Sequence, residues 1–540
     1  MSSHRAPHVK STVTPPPAKE QATEPRERAT FQPHAPLPLS NVSETARLVY
    51  RSLTALNAAT MMATKRAKHL EAFRPSMEYA TQHLTELFAH HALPLPRPEN
   101  NAAIMASELC IQMAHGYKKL AADLLATKKS RQTADKIVVA LYRAVTYLYR
   151  FHLSCYQRYA PIPETAWKEL HQLYTYAEKH GLDTTNVSDR EASAGHGTIS
   201  DLYKQALLLY IANPYRLAPD QIRAVATFVE TWAPQSDLRA VSVRRNDTKL
   251  FVVMLASSEA PMPWALCPDE PSTTWRSLDT SRLVGVMREF ISLSEKPSNR
   301  DASANTLPLK TMQHLLRTFA LASQRDATRV NKTVRLWITM GLSDTYLCIN
   351  RGLGQIDPRR HSAIFPCVLI NESASGACLL WKGDLAEKLR VGDVIGLYAD
   401  ENGGNRAQIA VIRWISNAKE NVWMLGLQRL VDNAQAVAAK VPSPQGKSQR
   451  VMPSLLLPEN SAANLPATLV LPTLVCRSGD CISVLRRGKE FNLQLAQVVE
   501  TSATFTRFIV RGAATPTTTN SVTTTKVAPK RAPLKRASGF

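Results

Sequence analysis

The sequence lacks the residue patterns of most metal sites and enzymes. Its 8 cysteines include no CxxC pair, and no histidines accompany them at metal-ligand spacing. It contains no GxxxxGK, HExxH or GxSxG motif, and no GxGxxG that opens a helix after a strand. We therefore predict no metal site, no cofactor and no enzymatic activity. The cysteines are interpreted as reduced, mostly buried thiols, with a Cys476–Cys481 disulfide as the alternative.

Long apolar runs are absent as well. No stretch reaches the length needed to cross a bilayer. The N-terminal MSSHRAPHVKSTVTPPPAKEQ has no apolar core of the kind that secretory signals contain. We therefore expect a cytoplasmic protein with no membrane span.

Acidic residues are too few to balance the basic ones. The chain has 66 lysines and arginines against 44 aspartates and glutamates, a net charge of +22. Such an excess favours anionic partners: nucleic acid, nucleotides or an acidic membrane surface. Composition alone does not choose among them. With 540 residues, 44% of them hydrophobic, the chain is long enough for several packed domains.

The first part of the chain has the pattern of a helical protein. Residues 1–39 are rich in proline, serine, threonine and charge, which predicts a disordered arm. From 40 to 182 apolar residues recur every three or four positions, which predicts an all-helical domain, and 183–323 has the pattern of a mixed, mainly helical region. Stacked helical hairpins are common binding scaffolds, so we expect the helical region to bind a protein partner.

Three tyrosines of this region lie along one helix face. Tyr142, Tyr149 and Tyr156 are spaced seven residues apart. They form either an aromatic binding groove or a buried seam between helices. The seam is the more common use of such a stripe, so we favour it.

After residue 324 the pattern changes to short runs of β-branched and aromatic residues. Six such runs, separated by Gly, Asn and Asp turns, predict a small antiparallel barrel or sandwich over 324–440, closed by a short helix at DNAQAVAAK. Residues 343–366 are then an inserted loop or hairpin. Strands within 451–512 predict a small C-terminal β unit, and 513–540 a disordered basic tail. The predicted fold class is multidomain α + β, with an all-helical N-terminal region before the two β units.

Two short motifs stand in the strand-rich block. Arg325 and Arg329 are four residues apart, immediately before the strand run VRLWITM. The stretch NESASG, at the junction of two later runs, supplies Asn371, Ser373 and Gly376. In this order the two motifs resemble the signature of the PilZ family, RxxxR followed by (D/N)xSxxG. The resemblance covers about 322–440 and includes runs such as VGDVIGLYA and WMLGLQRL.

The PilZ resemblance implies a six-stranded antiparallel barrel that binds cyclic di-GMP, a bacterial second messenger, through Arg325, Arg329, Asn371, Ser373 and Gly376. A guanidinium matches both the O6 and N7 acceptors of guanine and the phosphates of the ligand. Asn371 and Ser373 are expected to hold the guanine edge, and Gly376 to let the backbone approach it. Many family members have a basic residue where this chain has Gln324, so the number of ligand molecules bound stays open.

Two other functions remain open. The positive charge is compatible with a nucleic-acid-binding protein in which the barrel is only a fold, although no nucleic-acid-binding motif is present. The other is a degenerate barrel that binds only protein. Within the barrel, Trp414 is either a core residue or a surface that stacks on guanine, and Arg413 is a minor candidate for the site.

Overall fold

The computed structural model describes most of the chain between residues 38 and 512. The described residues are 38, 40–89, 91, 93–127, 130–189, 195–241, 250–267, 271–294, 307–320, 328–351, 364–383, 389–399, 407–419, 421–442, 449–459 and 465–512. The predicted disordered arm, apart from Pro38, and the predicted basic tail lie outside them. The chain divides into two compact units. The first comprises the described parts of Met1–Phe88, Asn101–Ser154 and Glu169–Tyr203, and the second comprises the described remainder.

The predicted all-helical segment is helical. Its helices are α1 (Val42–Ala58), α2 (Ala63–Phe88), α3 (Arg97–Leu125), α4 (Arg131–Gln157) and α5 (Glu164–Lys179). Asn41 caps the N-terminus of α1, because its side-chain oxygen accepts a hydrogen bond from the Glu44 amide at 3.1 Å. Val49, Leu53 and Leu56 of α1 are fully buried. The three- and four-residue spacing of apolar residues therefore marks the packed face of this helix.

The tyrosines of α4 are buried, as the seam interpretation predicts. Tyr142, Tyr149 and Tyr156 are 2%, 8% and 0% exposed. Tyr147 of the same helix stacks on Tyr117 of α3, with ring centroids 6.0 Å apart. The aromatic side chains of α4 therefore belong to the packing of the helices.

Helices and short strands alternate between residues 183 and 323. The helices are α6 (Ile199–Ile211), α7 (Pro219–Trp232), α8 (Ser281–Ser294) and α9 (Leu309–Ala320), with 3₁₀ turns at Pro214–Arg216, Ala233–Gln235 and Trp264–Leu266. The strands are β1 (Val187–Ser188), β2 (His196–Gly197), β3 (Asp237–Ala240), β4 (Leu250–Met254), β5 (Met262–Pro263) and β6 (Trp275–Asp279). β1 pairs with β2, and the others form a sheet in the order β3-β6-β4-β5.

The six predicted strands of the block after residue 324 form one closed antiparallel barrel, here called the first barrel. They are β7 (Val330–Met340), β8 (Ile364–Ser373), β9 (Gly376–Lys382), β10 (Val394–Ala399), β11 (Gln408–Lys419) and β12 (Val422–Val431). Around the barrel the order is β7-β8-β9-β12-β11-β10. The predicted barrel is confirmed, and the sandwich is excluded.

The predicted C-terminal β unit is a second closed barrel. Its strands are β13 (Gln435–Pro442), β14 (Gln449–Leu457), β15 (Thr468–Pro472), β16 (Cys481–Arg486), β17 (Lys489–Thr501) and β18 (Phe505–Gly512). Their order is β13-β14-β15-β18-β17-β16, which repeats the order of the first barrel strand for strand.

The helix predicted at DNAQAVAAK is wrong. Residues Gln435–Pro442 form strand β13, which pairs with β14 and β16 of the second barrel. Val437, Ala439 and Val441 are buried and alternate with half-buried neighbours, which is the period of a strand. Alanines occupy positions on both faces of this strand, and their high helix propensity concealed the alternation.

The insertion predicted as a loop or hairpin at 343–366 also differs. It begins with helix α10 (Leu342–Arg351), and residues 352–363 lie outside the described part of the chain. Leu342 and Cys348 of α10 are buried in a cluster that includes Val394 and Val411 of the first barrel and Phe505 of the second. A helix of this length depends on such tertiary packing, which a local sequence pattern does not reveal.

Candidate functional site

Arg329, the second arginine of the motif, lies at the end of the first barrel that carries the asparagine half of the motif. Arg329 is exposed and directly precedes β7. The first residues of β7 pair with the end of β8, so that Val330 lies opposite Glu372 and Asn331 opposite Asn371. Arg325 lies outside the described residues. The antiparallel pairing therefore brings Arg329 to the barrel end that carries Asn371.

The other motif residues occupy the hairpin between β8 and β9. Ser373 ends β8 and pairs with Gly376, the first residue of β9. Asn371 pairs with Cys378 after a register shift that follows Leu369. Asn371, Ser373 and Gly376 are all half-buried. The three predicted hairpin residues thus lie at the same end of the barrel as the start of β7, the strand that Arg329 directly precedes.

The Asn371 side chain presents an unpartnered oxygen. Its Oδ1 is buried and has no hydrogen-bond partner among the described residues. Leaving a buried acceptor unpaired costs about 1–3 kcal/mol, and most buried polar atoms in proteins are paired. The oxygen is therefore placed to accept a hydrogen bond from a group that the described part of the chain does not supply.

Two basic residues outside both motif halves hold this hairpin in place. Arg429 of β12 donates one hydrogen bond to the Ser373 carbonyl at 3.2 Å and another to the Glu372 carboxylate. Lys332 of β7 contacts the same carboxylate at 2.8 Å. Hydrogen bonds from Lys332 and Arg429 hold the pKa of Glu372 below its ordinary value. No local pattern marks Arg429, because its role follows from the pairing of three strands.

Gly376 has a structural reason to be glycine. A Cβ at this position would lie 2.8 Å from the backbone oxygen of Leu427 on β12. The register sets Gly376 opposite Gln428, beside that carbonyl. The small residue therefore permits close approach of β12, in addition to the approach of a ligand that the motif implies.

Arg329 places positive charge next to the hairpin. Burial raises the pKa of the Cys378 thiol, and the charge of Arg329 opposes that rise. Cys378 is the cross-strand neighbour of Asn371. The Arg329 guanidinium is thus within electrostatic range of the β strand beside the unpartnered amide oxygen.

Arg413 and Trp414 have other partners. The Arg413 guanidinium donates to the side chain of Gln428 at 2.7 Å and to Glu500 of the second barrel at 2.5 Å. Trp414 is half-buried, and its indole covers Gly426, where a Cβ would lie 1.7 Å from the ring nitrogen. Arg413 therefore links the two barrels, and Trp414 packs on the barrel wall.

Among the described residues, no group of three or more His, Cys, Asp or Glu side chains is arranged to hold a metal ion. Among the helices of the described ranges, none combines the length and apolar character that a bilayer-crossing helix needs.

Comparison with known proteins gives one consistent result. Residues 32–242 match the family model described as the N-terminal domain of the cyclic-di-GMP receptor FimW. Residues 250–353 and 350–436 match the middle PilZ domain of that receptor, and residues 437–512 match the FimW C-terminal beta-barrel domain. The chain is 24% identical to the cyclic-di-GMP receptor FimW of Pseudomonas aeruginosa PAO1, over an alignment of 547 positions that covers 89% of each chain.

Proposed function

We propose that this chain, which belongs to the PilZ-domain family, is a receptor that binds cyclic di-GMP at the end of its first barrel. The observation that carries the proposal is the unpartnered Oδ1 of Asn371, beside the strand that Arg329 opens. The match to a middle PilZ domain and the similarity to a protein described as a cyclic-di-GMP receptor support it. The proposed binding residues are Arg325, Arg329, Asn371, Ser373 and Gly376.

The ligand's chemistry complements these groups. Guanine carries an exocyclic amino donor that the Asn371 oxygen can accept from, and the Ser373 hydroxyl can donate or accept beside it. Guanine O6 and N7, and the phosphates, are acceptors that the guanidinium groups of Arg325 and Arg329 fit. Arg429 keeps the hairpin in place and does not contact the ligand in this proposal.

The proposal extends to the role of the protein. The chain acts as a non-enzymatic, cytoplasmic effector that signals to a protein partner through its helical region. Binding at Arg325 and Arg329 draws the preceding helix, α9, toward the barrel and so changes the surface that the helical region presents to its partner. A ligand can shift such an arrangement only by binding one form more tightly than the other.

The domain boundaries belong to the same proposal. They are a helical domain at 40–182, a mixed, mainly helical region at 183–323, a PilZ barrel from 324 and a C-terminal barrel. The pairing of β13 with β14 and β16 supports a start of the last domain near Gln435 in place of residue 451. The family match that begins at residue 437 supports the same boundary.

Isothermal titration calorimetry with cyclic di-GMP tests the proposed function. We expect the full chain to bind with a dissociation constant in the micromolar range or below. Arg325→Ala and Arg329→Ala should each weaken binding by about tenfold or more, because a charge-assisted hydrogen bond contributes about 1.5–3 kcal/mol.

Arg335→Ala is the matched control. Arg335 is an exposed arginine of β7, the strand that Arg329 directly precedes, so its loss removes the same charge from a nearby position. The Arg335→Ala variant should bind within about twofold of the unmodified chain, because Arg335 is not one of the proposed binding residues. Absence of heat with the unmodified chain contradicts the receptor function and leaves the nucleic-acid-binding and protein-scaffold alternatives. Equal binding by all variants keeps the receptor and rejects this site.

A further inference from the structure

Three arginines from separate parts of the chain lie close enough to interact electrostatically, and one of them, Arg329, belongs to the proposed ligand site. They are Arg216 in the 3₁₀ turn Pro214–Arg216, Arg317 on α9 and Arg329 before β7, and all three are exposed. None of them forms an ion pair within the described ranges. Arg413, which is also close, differs because Glu500 balances its charge. The three arginines are therefore a positive cluster without an acidic partner among the described residues.

These charges act on one another. Partial removal from water, together with the positive charges of Arg413, Arg317 and Arg329, lowers the pKa of Arg216. Like charges held near one another repel, and an anion placed between them removes that repulsion. The cluster is therefore better suited to a bound anion than to water alone.

The turn that carries Arg216 is anchored to the first barrel. It lies against β11. Leu217, the next residue, accepts a hydrogen bond from the Tyr159 hydroxyl at 2.5 Å, and the Tyr159 carbonyl accepts one from the Asn417 amide of β11 at 2.8 Å. Asn213 begins the turn in the left-handed region, with φ of 57°. The Arg216 backbone is thus held in place before any ligand binds.

Helix α9 is attached to the same turn. His314 donates a hydrogen bond through Nε2 to the Ala212 carbonyl at 3.1 Å. Burial, together with the charges of Arg216 and Arg317, lowers the pKa of His314, so this ring is neutral at pH 7 and adds no charge to the cluster. Arg317 follows His314 on α9, which sets its side chain near that of Arg216.

We propose that Arg216 binds a phosphate group of the cyclic dinucleotide from the side opposite Arg329, so that the ligand joins the Pro214–Arg216 turn to the barrel. The inference rests on the proposed function and adds a residue that lies outside both motif halves. A guanidinium suits this role because it meets two phosphate oxygens with parallel hydrogen bonds. Arg317 supplies additional positive charge at the site without a direct contact.

Calorimetric titration of the full chain with cyclic di-GMP tests the inference. Arg216→Ala should weaken binding by about tenfold or more, as expected for a lost charge-assisted contact. Arg216→Lys should recover only part of the affinity, because an ammonium cannot reproduce the paired contact. The loss for Arg216→Ala should persist in 0.5 M NaCl, where long-range attraction is screened.

Arg51→Ala is the charge-matched control. Arg51 is an exposed residue of α1. The Arg51→Ala variant should bind cyclic di-GMP with an affinity within about twofold of that of the unmodified chain. Full recovery with lysine, or disappearance of the Arg216→Ala effect in high salt, contradicts a direct contact. Unchanged binding by Arg216→Ala, with loss in Arg329→Ala, rejects this inference and leaves the proposed function standing. Absence of binding by the unmodified chain rejects both.

Discussion

A backbone atom of the neighbouring strand β12 leaves no room for a side chain at Gly376. A Cβ at Gly376 would lie 2.8 Å from the Leu427 carbonyl oxygen, and this oxygen cannot rotate away as a side chain could. We expect Gly376→Ala to lower the free energy of unfolding by about 1–3 kcal/mol, as overpacking does. Urea denaturation of the full chain measures it.

Gly285 of α8 provides the comparison. A Cβ there meets nothing within 4 Å, so Gly285→Ala should be neutral or stabilise the chain by up to about 1 kcal/mol. Equal stability of the two variants would contradict the close approach of β12 at Gly376.

Some site residues can be identified from short sequence motifs, whereas the roles of others depend on long-range strand pairing. The types and order of Arg329, Asn371 and Ser373 are visible in the sequence, because each half of the motif is a short local pattern. The roles of Glu372 and Arg429 depend on how β12 lies beside the β8–β9 hairpin. That register is a long-range property, so no local pattern could have predicted their ion pair.

The turn RVGD, which precedes β10, contacts the second barrel. Gly392 has a φ of 92°, and a Cβ there would lie 3.1 Å from Ser502. Asp393 is 7% exposed. Its burial raises the pKa of the carboxyl group to about 6, although a hydrogen bond with Thr504 opposes the rise. The turn therefore places a titratable group between the two barrels.

The raised pKa of Asp393 makes stability depend on pH. Because the unfolded value is near 4, the folded chain binds more protons than the unfolded chain between about pH 4 and pH 6. Stability contributed by this group is present at low pH and is lost as pH rises through that window. We expect the free energy of unfolding of Asp393→Asn, compared with that of the unmodified chain, to rise by about 1–3 kcal/mol from pH 4.5 to pH 7.5. Urea denaturation at the two pH values measures this change.

Asp135→Asn, a change at an exposed position of α4, should show no such gain. A stability difference between Asp393→Asn and the unmodified chain that is the same at both pH values would show that Asp393 titrates normally.

Individual elements were predictable where their local composition was clear. The six strands of the first barrel are short runs of β-branched and aromatic residues separated by turn residues, and all six were predicted. α10 and β13 were not, for opposite reasons. α10 is short and is stabilised by packing between the barrels, whereas the alanines of β13 concealed a strand.

The two barrels have the same strand order. The second barrel has no RxxxR before β13 and no (D/N)xSxxG between β14 and β15, where the sequence is PENSAANLPA. The proposed nucleotide site therefore lies in the first barrel alone. This difference follows from sequence, whereas the shared strand order became visible only in the structure, because it depends on pairings between distant segments.

A crystal structure of the full chain grown with cyclic di-GMP tests the central claim most directly. We expect the nucleotide at the end of the first barrel, with a guanine edge hydrogen-bonded to Asn371 and Ser373 and a phosphate contacted by Arg329. The second barrel should carry no nucleotide. Nucleotide bound away from the β8–β9 hairpin, or an Asn371 Oδ1 that remains unpartnered beside bound ligand, would contradict the account.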